Sequence, residues 1–128
     1  MKRILTAIIF ICVSAANLSA VDWYDNYGAA LEKAREENKK VLVVVMRQSC
    51  PWCRKLINET LPAEAIDAKI QAEFVPLMLD TENNPREVDR SRLRAESVPA
   101  SYILNPSGEI VNAQMGYLQP MQYMRFLQ

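Results

Sequence analysis

The chain has no histidine, only three cysteines and three glycines in 128 residues, and no excess of either charge, since 15 basic residues balance 15 acidic ones. Zinc needs four ligands, or three and a water. Without histidine a complete zinc site within one chain is not expected, and no metal is assigned. The balanced charge, with no basic patch interleaved with aromatics, gives a nucleic-acid-binding reading no support. The chain has no internal repeats and no linker-like stretch. Its apolar run near the N-terminus, Ile4 to Val13, is too short for a spanning helix. What is present fits one domain of globular composition, 50% hydrophobic and 23% charged.

Residues 1–20 read as a signal peptide. Lys2 and Arg3 precede the apolar run, and small residues follow as far as Ala20, the layout of a secretory signal. Cleavage is expected after Ala20, with Ala16 as the second choice and a retained membrane anchor as the alternative. Processing would remove Cys12 and leave a domain over residues 21–128 with two cysteines, Cys50 and Cys53. Loss of Lys2 and Arg3 lowers the basic residues from 15 to 13 against 15 acidic, a net charge of −2. An exported protein occupies a compartment where disulfides persist, which in a Gram-negative cell is the periplasm. The expected localisation is therefore periplasmic or secreted.

The two cysteines sit in Ser49-Cys50-Pro51-Trp52-Cys53. A short, β-branched run, Val41 to Met46, precedes them and reads as a strand buried on both faces. Helix-favouring residues follow, and Pro51 is tolerated in a first helical turn. A C-x-x-C at a strand-to-helix junction is a redox signal. The nucleophile in disulfide exchange is the thiolate, and a helix N-terminus favours negative charge at Cys50. Arg47, Arg54 and Lys55 add positive charge. Two cations in a first helical turn oppose the helix dipole, and a local rule broken beside two cysteines suggests function. Three other readings stay open here. A structural staple across so short a loop would contribute only roughly 2 kcal/mol. A zinc site lacks ligands. Copper(I) held by two thiolates needs no others.

Elsewhere the periodicity predicts an amphipathic helix over 22–40, capped by Asp22, with Trp23, Tyr27, Ala30, Leu31 and Ala34 inward. A helix over 63–72 presents Ile66 and Ile70. A second buried strand covers 74–80, with Pro76 near its start or at an unpaired position. A turn over 81–86, a charged helix over 87–95 and a strand over 96–104 follow. Asn105-Pro106-Ser107-Gly108 turns the chain into a strand over 109–115. Gly116 suggests a bulge or close backbone approach. A final helix from Pro120 is expected to place Met121, Met124 and Leu127 on one face. The order α-β-α-α-β-α-β-β-α gives an α/β fold, with a mixed central sheet of about four strands flanked by helices on both faces.

These features together resemble the thioredoxin fold. Cys50-Pro51-Trp52-Cys53 after the strand, Val98-Pro99 at a strand entrance, the Gly108 hairpin and Gly116 before the last helix carry the likeness over residues 22–128. Gly116-Tyr117-Leu118-Gln119-Pro120 and Glu59-Thr60-Leu61 are similar to secreted thioredoxin-related proteins, and these in turn to the C-terminal domain of transmembrane disulfide reductases. The resemblance implies an exposed nucleophile, Cys50, and a buried resolving Cys53, together the catalytic pair and the redox-active disulfide. It implies a cis bond at Val98–Pro99, with Trp52, Val98 and Pro99 contacting substrate. Two departures stand out. Thioredoxins place a buried aspartate where Val44 stands and a lysine where Pro76 stands. Glu59 is a candidate relay, although its place on a helix surface suits an ordinary solvated residue.

The expected function is exported thiol–disulfide exchange with protein substrates. Reduction is the preferred direction, from the likeness and from the missing histidine between the cysteines. The alternatives are a disulfide oxidase or isomerase, and a non-catalytic module that binds peptide or Cu(I). No cofactor is called for. A membrane-bound redox partner is expected to recycle the pair, and the absence of a long exposed apolar stretch points to a monomer.

Overall fold

A computed structural model describes residues 21–128; the proposed signal peptide lies outside them. Helix α1 (Tyr27–Glu37) leads into strand β1 (Lys40–Met46). Helix α2 (Pro51–Lys55) continues as a π-helical segment over Leu56–Thr60. Then come α3 (Glu64–Glu73), β2 (Phe74–Asp80), α4 (Pro85–Ser91), β3 (Ala100–Leu104), β4 (Ile110–Met115) and α5 (Pro120–Leu127). The sheet order is β2-β1-β3-β4, with β1 parallel to β2 and antiparallel to β3, and β4 antiparallel to β3. This is the mixed four-stranded α/β sheet that the element order predicts.

Strand β1 is central, and its alternation explains its composition. Val41, Val43 and Val45 face α1 and α4, packing with Ala30, Leu31, Ala34 and Val88. Leu42, Val44 and Met46 face the other way, with Cys53, Leu56, Ile66, Ile70 and Tyr123. A strand covered on both faces needs apolar side chains at every position. Each such side chain contributes roughly 1.5–3 kcal/mol by leaving water. Pro76 lies in register with Leu42, but its carbonyl points to the outer edge, where it accepts from Tyr24 N at 2.8 Å. The nitrogen of a strand residue points to the same side as its carbonyl, so the missing N–H is not taken from the β1–β2 ladder.

Several boundaries differ from the periodic reading. The first helix begins at Tyr27, not Asp22, because Asn26 caps it by accepting from Ala29 N at 2.8 Å. Residues ahead of it are used by the sheet. Tyr24 lies along the β2 edge, and its carbonyl accepts from Met78 N at 2.9 Å. Helix α4 starts at Pro85 and ends in the left-handed Arg92, which frees Leu93 to enter the core. Strand β3 begins only after Pro99, and β4 begins at Ile110. On α5 the buried residues are Tyr123, Phe126 and Leu127, whereas Met121 is 72% exposed. Tyr123 sets that rotation: its hydroxyl donates to Ser101 Oγ at 2.9 Å inside the core, and its ring meets Phe126 edge-on. Gly116 has φ 84°, a left-handed conformation that favours glycine. A Cβ added there would meet nothing within 4 Å, so conformation and not crowding requires the residue.

Candidate active site at the β1–α2 junction

Strand β1 ends at Met46, whose carbonyl accepts from Thr81 N at 2.9 Å. A turn closed by Cys50 N on Arg47 O, at 3.1 Å, then delivers Cys50 to the N-cap of α2. N-cap residues usually supply an oxygen. Here the cap is sulfur, since Cys50 Sγ accepts from Cys53 N at 3.2 Å. The same sulfur donates its proton to the Val98 carbonyl at 3.8 Å. Both cysteines are free thiols. The Val98–Pro99 peptide is cis. Sequence-distant Val98 is thus brought against Cys50, and Trp52 projects beside them with 58% of its surface exposed.

The two thiols differ in environment. Cys53 has no accessible surface. Burial pushes its thiol up to about 12, reinforced by its hydrogen bond with Cys50. Cys50 keeps 5% of its surface accessible, far less than the exposed nucleophile that the family resemblance implies. Its sulfur is turned inward by the two bonds just described, to Cys53 N and Val98 O, which explains the difference. Val44 is fully buried where thioredoxins carry an acid. Among the described residues the buried polar side chains are Thr60, Glu87, Ser91 and Ser101. The only carboxylate of these, Glu87, accepts from Tyr27 N at 2.8 Å on the α1 side of the sheet. Glu59 is a surface residue, its side chain 59% exposed and 4.0 Å from Lys55.

The positive charge anticipated around Cys50 is partly neutralised. Glu82 holds Arg47 at 3.7 Å and also accepts from Ser49 Oγ. Asp80 accepts from Gln48 Nε2 at 3.1 Å. Burial acts to raise Asp80, but the backbone N–H groups of Glu82 and Asn83, with Gln48, outweigh it and hold the carboxyl below its usual range. Arg54 makes no ion pair among the described residues. Among those residues no three potential metal-ligating side chains of the histidine, cysteine or acidic type come together.

The sequence singled out the Thr60 and Gly116–Leu118 segments by resemblance, but three contacts they make are visible only in the structure. Thr60, fully buried, ends the π-helical segment and donates to Leu118 O at 2.7 Å. Gly116 N donates to Pro99 O at 2.7 Å. Between these anchors Tyr117 lies against Trp52, with ring centroids 5.6 Å apart. Residues 116–118 therefore tie the Pro99 loop to the cysteine helix.

A family model described as a thioredoxin-like domain matches residues 27–128. The chain belongs to the thioredoxin-like family. The fold of this thioredoxin-like chain is shared by a thioredoxin from Thermus thermophilus, with TM-score 0.71, 21% identity and 85% of each chain covered. It is also shared by the oxidised C-terminal domain of Neisseria meningitidis DsbD, with TM-score 0.62 and 16% identity over 81% of this chain and 95% of that one. A 70-residue stretch, 55% of this chain, is 36% identical to human spermatogenesis-associated protein 20. The thioredoxin-like chain aligns with only 9% of that protein's length. A DsbH oxidoreductase shares the fold too, with TM-score 0.65 and 13% identity over 85% of this chain and 84% of that one.

Proposed function

We propose that this protein is an exported thiol–disulfide oxidoreductase that works through Cys50 and Cys53, with reduction of protein disulfides as its direction. The observation that carries this reading is the asymmetry of the pair. One sulfur caps a helix against the Val98 carbonyl and keeps a little accessible surface, while the other is sealed one turn behind it. Cys50, as thiolate, attacks one sulfur of a substrate disulfide. That S–S bond breaks, the departing sulfur takes a proton, and a mixed disulfide to Cys50 forms. Cys53 then gives up its proton and attacks Cys50 Sγ. The second substrate thiol leaves, and a Cys50–Cys53 disulfide remains. Two electrons and two protons pass to the substrate.

The raised Cys53 thiol bears on the second step. Its hydrogen bond with Cys50 and the Cys50 charge both add to burial in holding the proton on. Once Cys50 is bonded to substrate its charge is gone, so part of that hold is released when Cys53 must attack. Val44 supplies no acid–base group, and the proton goes to the departing thiolate or to water. A membrane-bound redox partner would return the electrons. The character of residues 1–20 supports export.

One observation favours a second reading. With 5% of its surface accessible, Cys50 also suits a module that holds an extended peptide at Val98 without turnover. Insulin reduction with dithiothreitol as electron source separates the two. The wild type should accelerate precipitation of the B chain, and Cys50→Ser should abolish the acceleration. Equal rates for both would remove the catalytic reading.

A further inference from the structure

We propose that the outer face of α2 docks an acidic side chain flanking the substrate's reacting cysteine, through Lys55 and Arg54 with Trp52 and Tyr117 as its floor. This rests on the exchange chemistry proposed above and names its substrate class, protein disulfides with aspartate or glutamate beside the reacting cysteine.

Lys55 Nζ lies 5.2 Å from the centre of the Trp52 ring and 4.8 Å from that of Tyr117. Ring faces attract an ammonium and limit where it can go. A cation already positioned loses less freedom when a partner arrives. Its side chain is 44% exposed, and its carboxylate neighbour Glu59 stands at 4.0 Å, the outer edge of an ion pair. An exposed pair of that kind is weak and screened, so an incoming carboxylate can replace it. Arg54, the next cation, is exposed and has no ion pair among the described residues.

The floor is held from both sides. Thr60 bonds Leu118 and Gly116 bonds Pro99, which fixes Tyr117 between them. Trp52 begins the same helix that Cys50 caps. A residue flanking the bound cysteine passes over the indole toward Lys55, with the charge of Arg54 one position earlier on the helix adding at longer range. A basic flank would meet like charge there.

Three disulfide-bonded peptides test this, alike except for Asp, Asn or Lys beside the attacked cysteine. Wild-type kcat/KM at low ionic strength should fall in that order, with Asp roughly threefold to tenfold above Lys. The ratio should shrink toward one in ~0.5 M salt. Lys55→Met and Arg54→Gln should each reduce it, and Lys55→Arg should retain it. Turnover of all three peptides at equal or reversed rates overturns the docking proposal and leaves the exchange chemistry standing. Docking through these cations is equally overturned if neither Lys55→Met nor Arg54→Gln changes the ratio. Failure to turn over even the Asn peptide sinks the exchange chemistry, and this proposal with it.

Discussion

At the scale of single residues, Cys53 couples the chemistry to stability. Its native thiol keeps a proton up to about 12, against 9.0 for the same group in solvent, chiefly because burial disfavours the thiolate. Between those values the unfolded chain loses a proton that the native state holds. This contribution to stability is therefore complete below pH 9, declines as the pH rises and is gone by about pH 12. The thermal midpoint of the reduced protein should fall across that window, and Cys53→Ala should flatten the fall. An unchanged slope would show that Cys53 is not sealed as described. Tyr123 and Tyr102, both also raised by burial, would contribute to a smaller slope left in Cys53→Ala. The cysteines were legible in the sequence because a spacing of two residues after a β-branched run is specific. The weak access to Cys50 was not, because it depends on where Val98 arrives, 48 residues later.

At the scale of elements, the π-helical segment extends α2 and turns Thr60 inward. π-Helical turns inside α-helices are frequent at functional sites. Leu61 N reaches Leu56 O at 2.9 Å, the wider i→i+5 ring. Thr60→Val keeps the shape and removes the donor to Leu118 O. It should cost about 1–3 kcal/mol in denaturant unfolding. With protein substrates it should raise KM more than it lowers kcat, while Thr60→Ser restores both. A loss of stability with KM unmoved would make Thr60 structural only. The sequence predicted every α-helix and strand here, several from a one-sided or continuous apolar pattern and the others from proline, charge and turn signals. It misplaced ends where tertiary bonds decide them, as when Tyr24 joins the β2 edge and pushes the start of α1 to Tyr27. A π-turn has no comparable pattern, because one extra residue in a turn leaves composition unchanged.

At the scale of the whole molecule, the sheet order places the cysteine helix, α3 and α5 on one face and α1 with α4 on the other. One edge is guarded by Tyr24. The opposite edge, β4, exposes Ile110 at 54%, Val111 at 51% and Met115 at 44%. These exposed apolar side chains are interrupted by Asn112 and Gln114, and the sequence pattern did not reveal that the last strand lies at an edge. The family and the fold were legible because Cys50-Pro51-Trp52-Cys53 and Val98-Pro99 stand far apart in sequence and meet only in this topology. The direction of electron flow rests on the family likeness and the missing histidine between the cysteines, and the recycling partner is a property of an encounter that no local residue pattern encodes. The most direct measurement is covalent trapping. Cys53→Ser, expressed with residues 1–20 in place, should accumulate mixed disulfides on Cys50 that dithiothreitol releases, and the double variant Cys50→Ser/Cys53→Ser should accumulate none. Adducts of equal yield in the double variant, or none in Cys53→Ser, would contradict a leading sulfur at position 50 resolved from position 53.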